Sequence, residues 1–165
     1  MREIHRPVPG FEERLGCSVD RYFGRMVPGE FIGRMNWSLQ VDGGDLFRVD
    51  GNNYYPEKDE EFSQEKFHPD FSRCFLRVEH QTLCQLPRSK AIMFCVRSYM
   101  TLLEEIRTQG EGTKLAAAIE SMPEKLGFYK MRQFWGHDVL PWPKEGPQAD
   151  EVEAEEKARL AARGH

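Results

Sequence analysis

Nowhere in the 165 residues does an apolar run approach the roughly 20 residues that a membrane-crossing helix needs. The opening stretch Met1-Arg2-Glu3-Ile4-His5-Arg6 has no apolar segment of signal-peptide type, so secretion is not expected. Charge of one sign is scarce as well. A formal net charge of −4 argues against a nucleic-acid partner, which calls for a strongly basic surface. Cysteine is sparse, and Cys17, Cys74, Cys84 and Cys95 form no Cys-x-x-Cys pair. That spacing weighs against a zinc site or an iron–sulfur cluster within this chain. Cys74 and Cys95 fall in apolar runs, where a thiol behaves as a small hydrophobe, and the set reads as reduced cysteines of a cytoplasmic protein. Missing too are Gly-x-Gly-x-x-Gly, P-loop, Gly-x-Ser-x-Gly and His-Glu-x-x-His patterns. A recognisable nucleotide site and an evident hydrolase nucleophile go with them. Electrons for any redox chemistry must therefore arrive from elsewhere.

What is present reads as one globular domain over 1–145 followed by a charged, flexible tail over 146–165. Phe11, Leu15, Val19, Tyr22, Phe23 and Met26 recur at helical spacing until Pro28-Gly29 stops them. From Arg34 to Val41 the chain alternates, with Met35, Trp37, Leu39 and Val41 opposite Arg34, Asn36, Ser38 and Gln40. Asp42-Gly43-Gly44-Asp45 reads as a hairpin turn, with Leu46 to Val49 as the returning strand. A polar loop over 50–70 follows, opening on the turn signal Asp50-Gly51-Asn52-Asn53. Cys74, Leu76, Val78 and His80 then alternate with Phe75, Arg77, Glu79 and Gln81. After Pro87-Arg88-Ser89-Lys90, the run 91–99 is apolar on both faces, which predicts a central strand. Helical spacing resumes with Met100, Leu103 and Ile106, breaks at Gly110 and Gly112, and returns with Leu115, Ala118, Ile119 and Met122. Ser121-Met122-Pro123-Glu124 has capping-box form with proline at the first helical position. Trp135 to Pro143 closes the domain, and 146–165 lacks an apolar stripe, which suits either a solvated helix or a disordered tail. The expected fold class is α+β, an antiparallel sheet with helices gathered C-terminally.

Asn36, Glu79, Gln81 and Arg97 interrupt otherwise apolar strands. Such groups either face solvent or meet partners and ligands, because burial without a partner is costly. His80 on the apolar side of its strand reads as a hydrogen-bonded core residue, and His68 and His165 lie in a loop and at the terminus. His5 differs, because Pro7 and Pro9 stiffen its segment, and a stiff backbone suits a ligand that must hold one direction toward a metal.

Several motifs occur in a telling order: Ile4-His5-x-Pro7-Val8-Pro9-Gly10, Arg34-x-Asn36-Trp37-Ser38, Leu76-Arg77-Val78-Glu79-x-Gln81-Thr82-Leu83, Leu86-Pro87-Arg88-Ser89, Phe94-x-Val96-Arg97-x-Tyr99, and Met122-Pro123-Glu124 with Tyr129-Lys130. Together they resemble the haem-dependent oxidative N-demethylase α-subunit family, whose fungal members are catalogued as HRQ family proteins. The resemblance spans about 3–141 and departs from the family at His80, where arginine is usual. It implies a PAS-like sheet that cradles haem b, and a monooxygenase that uses O₂ to turn a small secondary amine into formaldehyde and a primary amine. Electrons would come from NADPH through separate flavin and iron–sulfur reductase subunits. On that resemblance His5 is the expected axial iron ligand, and Arg34, Arg88 and Arg97 are expected at the propionates. Asn36, Glu79 and Gln81 supply the polar groups of the pocket, Glu79 facing an ammonium substrate and acting with Gln81 in catalysis. Family members carry early strands before the His-x-Pro-Val-Pro motif, so an N-terminally truncated domain is expected. The alternatives are a non-catalytic PAS-like haem sensor or interaction module, and an inactive fragment.

Overall fold

The computed structural model describes residues 5–48, 52–54, 69–144 and 146–163. A π-helical turn over Glu12–Gly16 runs into helix α1 (Cys17–Arg25). The expected apolar stripe is only partly used: Phe11 and Met26 are buried, whereas Leu15 and Tyr22 are about half exposed. The chain leaves through a turn closed by Glu30 N–H on Val27 O (3.2 Å), with Gly29 at φ +91°, a conformation only glycine adopts cheaply.

Three antiparallel strands follow, β1 (Phe31–Gln40), β2 (Phe75–Gln85) and β3 (Ile92–Leu102), in the order β1-β2-β3. The register sets Asn36 against Glu79 and Glu79 against Ser98. Two expectations are corrected here. The central strand is β2, and β3 lies at the edge with Met93, Phe94, Val96 and Tyr99 from 39% to 50% exposed. Apolar residues on both faces signalled burial, yet among the described residues neither face of β3 is covered along its middle. Cys95, expected in a core, is exposed with them. Leu46–Arg48 form no strand, and Val49 lies outside the described residues. Gln40 Nε2 donates to Gly43 O (2.7 Å) and Asp45 O (3.1 Å), and Arg77 Nη1 to Leu46 O (2.8 Å). Side chains thus take the carbonyls that a hairpin partner would need, and the place beside β1 goes to β2. Most of the expected loop over 50–70 lies outside the described residues.

Leu102 ends the last strand, so Met100 belongs to β3 rather than to a helix. Four short helices then fold back: α2 (Leu103–Thr108), α3 (Gly112–Glu120), α4 (Glu124–Tyr129) and α5 (Arg132–Val139). The chain breaks at Gly110, whose φ is +77° and where a Cβ would sit 2.7 Å from the backbone of Ala149. The expected capping box is not made. Pro123 sits at the N-cap position of α4, and Ser121 Oγ donates back to Ala118 O (2.8 Å). The closing segment is helical, as α5 and the single turn α6 (Pro141–Lys144).

The core joins Leu39 of β1 and Cys74 to Leu103, Ile106, Leu115, Ile119, Met131, Trp135 and Val139, with Trp37 and Leu76 packed against it. All helical contributions thus meet the sheet on its Trp37–Leu39–Leu76 side. Phe71 stacks on Trp142 at 4.4 Å and Arg107 lies 4.9 Å over the same indole, which fastens α6 to this layer. Burial, aided by Asp70 and Asp42, pushes the Cys74 thiol up to about 11, as suits an inert core cysteine. Of the two forms open to the C-terminal stretch, Ala149–Arg163 take the helical one, as α7, and its described side chains are mostly exposed.

Candidate functional site

Strand alternation sorts the polar residues onto one side of the sheet. Arg34, Asn36, Ser38 and Gln40 of β1 align with Gln81, Glu79, Arg77 and Phe75 of β2, and Glu79 and Gln81 face Ser98 and Val96 of β3. Because helices α2, α3 and α5 pack on the opposite face, this side carries the polar groups, yet Ser38, Gln40, Arg77 and Gln81 are buried. Buried polar groups need partners, and here they find one another.

Glu79 is the hub. Its Oε2 accepts from Gln81 Nε2 (2.9 Å) and Asn36 Nδ2 (3.3 Å), and its Oε1 from Arg77 Nε at a longer 3.4 Å. A cation fixes each amide in turn. Arg34 Nε donates to Gln81 Oε1 (2.6 Å), and Lys130 Nζ to Asn36 Oδ1 (3.0 Å). With its oxygen held by a cation, each amide can only turn its NH₂ toward the carboxylate. Lys130 also donates to Trp37 O (2.9 Å), so its side chain reaches past the outer edge of β1 from the α4–α5 joint. Met131, at φ +63°, makes the bend of that joint. Arg77 completes the lattice through Ser98 Oγ (3.1 Å).

Burial works to raise the Glu79 pKa, but hydrogen bonds from Gln81, Asn36 and Arg77 outweigh it and hold the carboxyl below the usual range. Burial lowers the Lys130 pKa, and Glu79 opposes that shift. The lattice therefore presents a carboxylate, not a carboxylic acid, near neutral pH. Three cations, Arg34, Arg77 and Lys130, surround it.

Of the residues singled out from sequence, the structure brings Arg34, Asn36, Glu79 and Gln81 together. Arg97 lies on the other face, exposed and opposite His80 in register. Arg88 sits exposed in the β2–β3 turn. His5 stacks on Phe11 (4.3 Å, 13° between ring planes) and lines a cavity walled by its own segment, including Val8, Pro9 and Gly10. A second cavity runs between α1 and the start of β1, where Arg21, Arg25 and Ile32 line it. Sequence reasoning missed Arg77 and Lys130. The alternation placed Arg77 beside Glu79 and could have found it, but no local pattern ties Lys130 to Asn36, 94 residues away.

A haem asks a protein for an axial donor, flat apolar contact and cations for its propionates. The imidazole of His5 lines a cavity, and Phe94 and Val96 lie exposed beside the polar lattice, with the Arg34 guanidinium 6.0 Å over the Phe94 ring. Each of these donor types is present, although no residue of the lattice lines the His5 cavity. Among the described residues, no cluster of three or more His, Cys, Asp or Glu is placed to hold a metal, and no helix is long and apolar enough to cross a membrane. The fold and site thus define an α+β domain with an ordered, charged lattice on one face of its sheet. The chain belongs to the haem-dependent oxidative N-demethylase, alpha subunit-like family, whose model matches residues 1–140. The resemblance carried by the ordered motifs is borne out at that level.

Proposed function

We propose that this chain is the haem-carrying component of an oxidative N-demethylase that converts a small secondary amine, with O₂, to formaldehyde and a primary amine. The observation that carries this reading is the ionised, three-cation lattice around Glu79, found in a chain of that family. His5 is the proposed axial ligand of a haem b and Arg34 the proposed propionate partner on the lattice side; Arg88 and Arg97, expected in that role from sequence, lie in the β2–β3 turn and on the other face of the sheet. Haem, when bound, supplies the iron chemistry that activates O₂. The chain's own part is to ligate it and to hold the amine by Glu79, with Asn36 and Gln81 fixing that carboxylate. Electrons from NADPH would enter through separate flavin and iron–sulfur subunits, consistent with the alpha-subunit-like character of the family.

Titration with haemin should give saturable, near-stoichiometric binding with a sharp Soret band, and His5→Ala should weaken it or change the spin state. Unchanged spectra in that variant remove His5 from the site. With a reductant and O₂, dimethylamine should release formaldehyde above a free-haem control. A non-catalytic haem module is the second reading, favoured by the open, apolar face of β3, of the kind interaction domains present. Stable CO binding without amine consumption would select it.

A further inference from the structure

We propose that the Glu79 face accepts its amine unprotonated, as the neutral free base, and excludes the ammonium ion. The inference rests on the amine-oxidising reading above and goes beyond it by fixing the form of the substrate.

The charges decide it. From β1 the site is faced by Arg34 and Asn36, from β2 by Arg77, Glu79 and Gln81, from β3 by Ser98, and from the α4–α5 joint by Lys130. The loop after β1 contributes the Leu46 carbonyl, and its Asp42 is engaged by Arg48 at 2.6 Å. Among the described residues Glu79 is the one carboxylate of the lattice, and Arg77 and Lys130 are buried, so their fields are poorly screened. A further positive charge would meet three cations and one anion that is already paired. Nearby positive charge favours the neutral form of a base. The hydrogen-bonding geometry agrees. Oε2 already accepts from two amides, so the open acceptor position is on Oε1, whose single partner is the long 3.4 Å contact with Arg77. A neutral secondary amine has one N–H to donate there and keeps its lone pair. That form is the one oxidation requires, since an ammonium nitrogen has no lone pair from which an electron can leave.

Calorimetric titration of the haem-loaded full chain tests this with three probes: dimethylamine, tetramethylammonium, and propan-2-ol as a neutral isostere. Alkylammonium groups titrate near about pH 10, so the free-base fraction rises about tenfold per pH unit below that. Apparent affinity for dimethylamine should then rise about tenfold per unit between pH 6 and pH 9. Propan-2-ol should show no such slope, which separates amine titration from titration of the protein, and tetramethylammonium should not compete. If dimethylamine binds with flat affinity over that range and tetramethylammonium displaces it, the ammonium is the bound form and this inference is wrong, while the amine reading stands. If dimethylamine does not bind at any pH, both are overturned.

Discussion

Glu79 is worth more to this fold than its partial exposure suggests, because Arg77 and Lys130 are buried around it. Glu79→Leu leaves those cations without a counter-charge and two amides without an acceptor. Breaking one side of a buried pair costs about 3–5 kcal/mol, and solvent at the carboxylate lowers the expectation here to about 2–3 kcal/mol. Chemical denaturation of the variant against the parent chain reads this directly. The pH dependence follows from the two shifted groups. The folded pKa of Glu79 lies below its unfolded value, so its stabilisation is present above that unfolded value and fades as pH falls through the folded one. Lys130 is also shifted down, so the unfolded chain binds its proton more tightly, and stability rises as pH climbs between the folded and unfolded values. Stability measured from pH 3 to 10 should therefore drop at the acid end in the parent chain. That drop should shrink in Glu79→Leu.

At the scale of elements, β1 and β2 behave as their alternation predicts, and β3 does not. Its residues carry the composition of a buried strand, but the fold leaves Phe94 50% and Val96 46% exposed. Phe94→Thr should accordingly cost less than about 1 kcal/mol, since changes at half-exposed surface positions are small and the cation–π contact with Arg34 is a weak one. Leu39→Ala, at a site 3% exposed and in contact with the helical core, should cost about 2–5 kcal/mol. Equal losses in denaturant melts of the two variants would mean that β3 is covered in solution. The helix patterns fared similarly. Their periodicity located α3 through Leu115 and Ile119, both buried, whereas the stripe leading through α1 is fully buried only at Phe11 and Met26, and a cavity lies between that helix and the start of β1. Ser121 failed as a cap because its hydroxyl had a nearer acceptor in the preceding turn.

For the whole molecule, helix α7 is the part least tied to the rest. The family match stops at residue 140, and the described side chains beyond Val152 are exposed. The attachment is made earlier, by Thr113 Oγ1 and Gln148 Oε1 (2.8 Å) and by the close approach of Gly110 to Ala149. Ending the chain after Val152 should lower the melting midpoint by less than about 3 °C and leave haem binding unchanged. Loss of cooperative melting in that shortened chain would show that α7 packs on the domain.

By itself the sequence determined the period of each strand and most helices, and with that the face on which each side chain must lie. Pairing at period two puts Arg34, Asn36, Glu79 and Gln81 on one side once the register is set. The same register puts Arg97 on the other side, opposite His80, which the alternation of its own strand could not decide. Which strand pairs with which was a tertiary decision. Gln40 and Arg77 claim the carbonyls of the loop after β1, so β1 passes over its near neighbour in sequence and joins a strand more than thirty residues on. Only the folded chain brings Lys130 round the edge of β1 to Asn36, because a contact across 94 residues has no periodicity to announce it. The charge balance at Glu79 was likewise settled by folding, since it depends on which cations are buried together and not on how many the chain contains.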